Sequence, residues 1–298
     1  MIVDPVRYVP PVYRPPSEAQ SLILPVTDGC SWNKCTFCEM YSDPHKRFRP
    51  RSEAEIIETI RRCRDVYAGE VKRVFLADGD ALTLSVRRLQ TVLEAIRREL
   101  PGVRRVSSYC LPRNVRNKTA DELKVLAELG LSMVYVGAES GDDEVLARVN
   151  KGETFATTRD ALVKLGEAGI KRSVMILNGL GGRALSQQHA ENSAALMNAT
   201  QPEYLATLVV SFPKGEARFR AGFETWQELS VVELMAEMEL LVSRLELKRT
   251  VFRSDHASNW LVLKGTLGAD KERLLGQLRA AISAPDAARL RPAWARGL

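Results

Sequence analysis

No segment of this 298-residue chain approaches the roughly 18 consecutive apolar residues of a membrane-spanning helix, so no membrane partner is expected. The opening MIVDPVRYVPPVYRPP lacks the apolar stretch and small-residue cleavage site of a secretory signal, which makes the expected location cytoplasmic. Cysteine is scarce. Five thiols are too few, and odd in number, for the disulfide framework of a small secreted protein. A dominant sign of charge is also missing, since 43 basic against 37 acidic residues leave a net +6. Most of these charges alternate on helix-like stretches such as RSEAEIIETIRRCRDVY, the pattern of a solvated helix face. The basic AARLRPAWARGL at the C-terminus reads as a frayed tail. Internal repeats and low-complexity linkers are absent, and 45% hydrophobic residues are ample for a core.

What the chain has instead is alternation. Pro5, Pro10, Pro11, Pro15 and Pro16 exclude helix and central strand, so residues 1–20 are expected to form an extended arm. Strand-like runs at 21–26, 71–77, 103–109, 131–137, 170–177 and 203–210 are separated by amphipathic helical segments. Strands reached through helices pair in parallel with right-handed crossovers, which predicts an α/β core over residues 21–215. A helix near 228–245, a strand-like KRTVFR at 248–253 and a helix near 269–283 predict an α-rich extension over 216–298. In parallel α/β folds, ligands gather at the C-terminal ends of the strands. Those ends read TDGC, DGDAL, SYCLPRN, GAESG, NGLGGR and SFPKG, glycine-rich and polar enough for one ligand-binding face.

Three of the five cysteines crowd into the run Cys30-Ser31-Trp32-Asn33-Lys34-Cys35-Thr36-Phe37-Cys38, directly after the first strand. Soft thiolates so close together select zinc, copper(I) or an iron–sulfur cluster. A [4Fe–4S] cubane takes four cysteines, so three local ones leave one iron open. Zinc requires a fourth ligand, for which His45 is the nearby candidate.

This loop resembles the cluster loop of the radical S-adenosylmethionine (SAM) enzymes, whose usual pattern is CxxxCxxC with an aromatic residue before the last cysteine. Phe37 holds that aromatic position, and the spacing CxxxxCxxC is one residue longer between the first two cysteines. The resemblance covers about residues 20–215, and VGAESGDDEVLARVNKG at 136–152 looks like the fourth-strand region of the coproporphyrinogen-oxidase-like and Elongator-like groups. It implies that Cys30, Cys35 and Cys38 hold a [4Fe–4S] cluster and that Asp78, Gly79 and Asp80 receive the amino group of SAM. Glu139 and Ser140 match polar SAM contacts, Lys151 a basic position facing the SAM carboxylate, and Asn178 and Gly179 the region beside the adenosine. The resemblance also implies a partial (β/α)6 TIM-like barrel, with the extension covering its substrate side. SAM is then cleaved reductively to a 5′-deoxyadenosyl radical, which takes hydrogen from a small organic substrate. Such chemistry needs a reducing electron donor such as flavodoxin or ferredoxin.

The remaining residues carry weaker signals. Cys63 and Cys110 alone lie outside the loop, too few for an auxiliary cluster. Cys63 sits on an apolar helix face, whereas Cys110 ends a strand and is a candidate catalytic thiol as well as a packing residue. His256 and Asn259, in RSDHASN, are candidate substrate contacts, set against an ordinary hydrogen-bonded turn. His189 reads as a surface residue. Gly179 to Ala184 match G-x-G-x-x-G/A, which keeps a nicotinamide or flavin oxidoreductase open, although the acidic residue expected about 20 positions later is missing. A Cys3His zinc-binding interaction module with His45 is the other alternative. Nucleic acid stands behind a small molecule as substrate.

Overall fold

The computed structural model describes residues 4–212 and 215–297. In chain order the elements begin with β1 (Leu22–Pro25), β2 (Thr27–Asp28), β3 (Arg49–Pro50), α1 (Glu53–Tyr67), β4 (Arg73–Ala77) and α2 (Val86–Glu99). Next come β5 (Arg105–Tyr109), α3 (Pro112–Arg116), α4 (Ala120–Glu128), β6 (Leu131–Glu139), α5 (Asp143–Arg148), α6 (Phe155–Glu167) and β7 (Lys171–Asn178). The chain continues through α7 (Gly182–Thr200), β8 (Tyr204–Val209), α8 (Ala217–Arg220), α9 (Val231–Arg244), β9 (Val251–Ser254), β10 (Leu263–Thr266) and α10 (Lys271–Ser283). The fold is α/β, with a mostly parallel sheet in the strand order β1-β4-β5-β6-β7-β8-β9-β10. The chain divides into two compact units. One holds the residues through Asn33 with Cys38–Val136 and Val163–Arg172; the other holds Lys34–Phe37, Gly137–Leu162 and the residues from Ser173 onward.

In the first unit β1 pairs in parallel with β4, from Leu22↔Val74 to Pro25↔Ala77, β4 with β5, and β5 with β6. Parallel strands covered on both faces read as unbroken apolar runs. Accordingly, RVFLA in β4 is buried over its last four residues. Helix α1 starts where Ser52 Oγ accepts from the Glu55 N–H at 3.2 Å, and α4 starts on a Thr119–Glu122 capping box. The proline-rich arm is held down, because Tyr8 and Val12 pack on Ile23, Phe75 and Ala77.

In the second unit β8 pairs in parallel with β7, from Ser173↔Tyr204 to Asn178↔Val209, and β9 in parallel with β8. Strand β10 closes this edge antiparallel to β9. The extension expected to be α-rich with one strand-like run thus carries β9 in that run and adds β10 beside it. The tail expected to fray is also docked: the Arg291 N–H donates to the Trp260 carbonyl, and its guanidinium to the carbonyls of His256 and Asn259. Arg296 donates to the Ser258 carbonyl and stacks 3.9 Å from the Trp260 ring centre. Of the strand-end loop SFPKG, Pro213 and Lys214 lie outside the described residues. Among the described residues no helix is long and apolar enough to cross a membrane.

Candidate active site

Past their ends, β1 and β4 continue side by side. Val26 donates to the Ala77 carbonyl at 2.6 Å, Asp78 to the Thr27 carbonyl at 3.1 Å and Gly79 to the Gly29 carbonyl at 3.0 Å. This ladder delivers Cys30 and the Asp78-Gly79-Asp80 run to one place. Side chains would not fit at the crossing. Gly29 has φ +71°, and a Cβ there would stand 2.5 Å from the Lys46 carbonyl. On Gly79 a Cβ would stand 2.7 Å from the Gly29 carbonyl and 2.9 Å from Cys30 Cα.

The two aspartates have different surroundings. Asp78 accepts from Tyr41 Oη at 2.9 Å and is ion-paired with Lys46, whose ammonium also donates to the Val9 carbonyl of the arm. Asp80 accepts from the Ser31 N–H at 3.0 Å, from the Ser31 hydroxyl and from Asn114 Nδ2 at 3.3 Å, all neutral donors. Burial pushes both carboxyls up, opposed by Lys46 at Asp78 and by Ser31 at Asp80. Asp80 is wholly buried, and the Arg113 cation joins Ser31 and Asn114 in favouring its carboxylate form. Burial and the Asp80 carboxylate push the Cys30 thiol up as well.

The Cys35 segment packs within the second unit. Thr36 donates to the Val149 carbonyl at 2.9 Å, and Phe37 packs against an apolar cluster that includes Val145, Val149, Phe219 and Trp226. Arg218, which no sequence signal singles out, donates to the carbonyls of Cys35 at 2.8 Å and Thr36 at 3.4 Å. Lys151 Nζ lies 3.1 Å from Glu139 Oε1, both side chains buried, and 5.9 Å from the Phe37 ring centre. Glu139 holds φ +67°, a strained conformation for a side-chain-bearing residue. Its Oε2 is buried without a hydrogen-bond partner, as is Oδ1 of Asn178. Ser140 Oγ is already engaged, accepting from the Asp142 N–H at 3.0 Å and lying 2.8 Å from His189 Nδ1. His189 is thus a buried residue, 1% exposed, and not a surface one. The Gly179 N–H is likewise taken, by Glu237 Oε1 at 2.7 Å.

The candidate substrate residues fare less evenly. Cys110 is 1% exposed and its thiol donates to the Leu111 carbonyl at 3.3 Å, the surroundings of a packed sulfur. Asn259 uses both ends of its amide on β8, accepting from the Val209 N–H at 3.1 Å and donating to the Thr207 carbonyl at 2.8 Å. That engagement makes Asn259 a brace for β8, and it uses one of the two N–H groups and one of the two lone pairs of the amide. His256 is half-buried, its Nδ1 accepting from the Ser258 N–H at 3.1 Å, and burial with nearby Arg291 holds its pKa below the usual imidazole range. The hydrogen-bonded turn is what forms here.

Neither alternative is favoured. His45 is exposed, and among the described residues no three His, Cys, Asp or Glu side chains are gathered to hold one metal ion. Zinc needs its ligands converging on a point, whereas a cubane spreads its irons over several corners. The glycine motif at 179–184 is crowded where a dinucleotide phosphate would approach Gly182, and one of its N–H groups is already bonded. Trp226 would meet a Cβ on Gly182 at 2.6 Å, and the Arg183 N–H is bonded to the Gln227 carbonyl at 2.9 Å. The donor set does fit a [4Fe–4S] cluster with SAM. The first unit offers Cys30 and Cys38 in no disulfide, glycine backbone against Cys30 and the buried Asp80, and the second offers Cys35 in no disulfide and orphaned acceptors on Glu139 and Asn178.

Comparison with known proteins points the same way. The family model described as the radical SAM superfamily matches residues 24–196. The heme chaperone HemW of Bacillus subtilis is 25% identical over 174 residues, 55% of this chain and 45% of HemW. Hopanoid C-3 methylase of Methylococcus capsulatus is 24% identical over 149 residues, 50% of this chain and 27% of the methylase. The chain thus spans less than half the length of these curated relatives. Coproporphyrinogen III oxidase HemN from Escherichia coli shares the fold, with a TM-score of 0.56 and 15% identity over 75% of this chain and 51% of HemN.

Proposed function

Because the chain belongs to the radical SAM superfamily, we propose that it uses reductive cleavage of a C–S bond of SAM to take hydrogen from a C–H bond of a small organic substrate. A [4Fe–4S] cluster and SAM are its cofactors, and when bound they supply a 5′-deoxyadenosyl radical able to abstract hydrogen from an unactivated carbon. Cys30, Cys35 and Cys38 hold the cluster. Asp80 takes the SAM ammonium, while Asp78, tied to Lys46 and Tyr41, keeps the backbone beneath it in register. Lys151 offers its cation to the SAM carboxylate, and the orphaned oxygens of Glu139 and Asn178 accept from the ligand's donors. Ser140 acts from behind, through His189. Residues 216–298 cover the substrate side of the core over 21–215, which excludes water and stray hydrogen donors. The electron comes from flavodoxin or ferredoxin, and the protein works in the cytoplasm.

One observation carries this reading: the Gly29–Gly79 crossing sets the first cysteine against the acidic motif. The test is anaerobic reconstitution with iron and sulfide, reduction in the presence of SAM, and assay for 5′-deoxyadenosine. Wild-type protein is expected to take up iron and form the nucleoside, and Cys30→Ala, Cys35→Ala and Cys38→Ala to do neither. A reconstituted wild type that binds SAM yet never forms 5′-deoxyadenosine would overturn the proposal.

A further inference from the structure

Helix α8 lies beyond residues 24–196, the segment that the family shares, yet it touches the cysteine loop directly. Arg218 bridges two consecutive carbonyls with one guanidinium, Nη2 to Cys35 and Nε to Thr36. The next residue, Phe219, is wholly buried in the apolar cluster against which Phe37 packs. The turn after α8 is seated closely too, because a Cβ on Gly222 would stand 2.0 Å from the Arg148 carbonyl. Together with the Thr36 N–H on Val149, these contacts fix the peptide groups on both sides of Thr36. A flexible loop pays orientation entropy each time its sulfur must meet a metal centre, and a clamp removes part of that cost in advance.

We propose that Arg218 is a positioning residue for the cluster, holding Cys35 in its ligating arrangement from outside the shared family segment. The proposal rests on the radical SAM reading for the identity of the cluster, but the hold on Cys35 exists with or without it. The guanidinium does two separable things. Its hydrogen bonds order the backbone, and its positive charge beside the loop favours the more negative, reduced cluster. Arg218→Lys keeps the charge and loses the bridging fork, whereas Arg218→Ala loses both.

Two measurements test the clamp, and the first needs no cluster. In the apoprotein, alkylation of each cysteine by iodoacetamide is followed by mass spectrometry. At a pH high enough to ionise the thiol in every variant, so that the guanidinium charge no longer sets the thiolate fraction, Cys35 is expected to react about tenfold faster in Arg218→Ala and by an intermediate factor in Arg218→Lys, the scale of one or two lost charge-assisted hydrogen bonds. Cys63, buried in α1, is the internal reference for intact folding. In reconstituted protein, the rate of iron release to a chelator is expected to rise about tenfold in Arg218→Ala, and the cluster midpoint potential to become more negative. Arg218→Lys is expected to keep the potential while releasing iron faster than wild type. Unchanged Cys35 alkylation in both variants overturns the proposal, as does faster alkylation with unchanged iron release and potential. Equal acceleration at Cys35 and Cys63 also overturns it, since the variant has then only loosened the fold. Iron that binds without SAM cleavage in the wild type defeats the enzymatic reading instead and leaves the clamp to be judged on alkylation and iron release.

Discussion

Asp78 and Asp80 stand one glycine apart and are expected to respond oppositely to the same substitution. Burial raises the Asp80 carboxyl, so the native chain holds its proton at pH values where the unfolded chain has released it. Stability then falls as pH rises from the ordinary carboxylate range through the raised value. Asp80→Asn removes that penalty, and the apoprotein is expected to melt higher at neutral pH with a flatter dependence on the acid side. SAM affinity, followed by titration of the reconstituted protein, is expected to drop about tenfold or more with the lost charge. At Asp78 the same change strands the buried Lys46 ammonium, with an expected loss of about 3–5 kcal/mol in denaturant unfolding. The motif itself was legible in the sequence, but the division of labour within it was not. Lys46 and Tyr41 decide it, and they reach Asp78 from a loop whose course no local pattern specifies.

Helices with polar caps were the most legible elements. Ser52, Ser85, Thr119 and Ser230 each accept from the N–H three residues on, at the starts of α1, α2, α4 and α9. The apolar parallel strands were equally plain, because burial on both faces leaves a continuous hydrophobic run. What escaped was short or held by distant partners. LKGT in β10 offers little β propensity, and its place is set by pairing with β9. Helices α3 and α8 span only Pro112–Arg116 and Ala217–Arg220, below the length at which periodicity is readable. Asn259 is another such case, a polar residue in a polar run that works as a brace for β8. Asn259→Ala removes the partner of a half-buried N–H and of a buried carbonyl of that strand, and the expected cost in urea unfolding is about 2 kcal/mol. If stability is unchanged and product formation collapses, Asn259 meets the substrate after all.

At the scale of the whole chain, binding and stability are one measurement. A ligand that binds only the folded protein stabilises it by about 2.7 kcal/mol at a hundredfold excess over its Kd. SAM is therefore expected to raise the melting temperature of the reconstituted protein by several degrees. For Cys30→Ala, which lacks a complete cysteine set, the expected shift is near zero. An equal shift in both would mean that SAM binds without the cluster, contrary to the donor set described. The crossing of Gly29 over Gly79 has a consequence for descent and for engineering. Two loops that share a backbone contact too close for a Cβ cannot drift independently, since bulk gained by one is felt at once by the other. Neither can be grafted alone onto another scaffold, and a homologue that changes one is expected to carry a matching change in its neighbour.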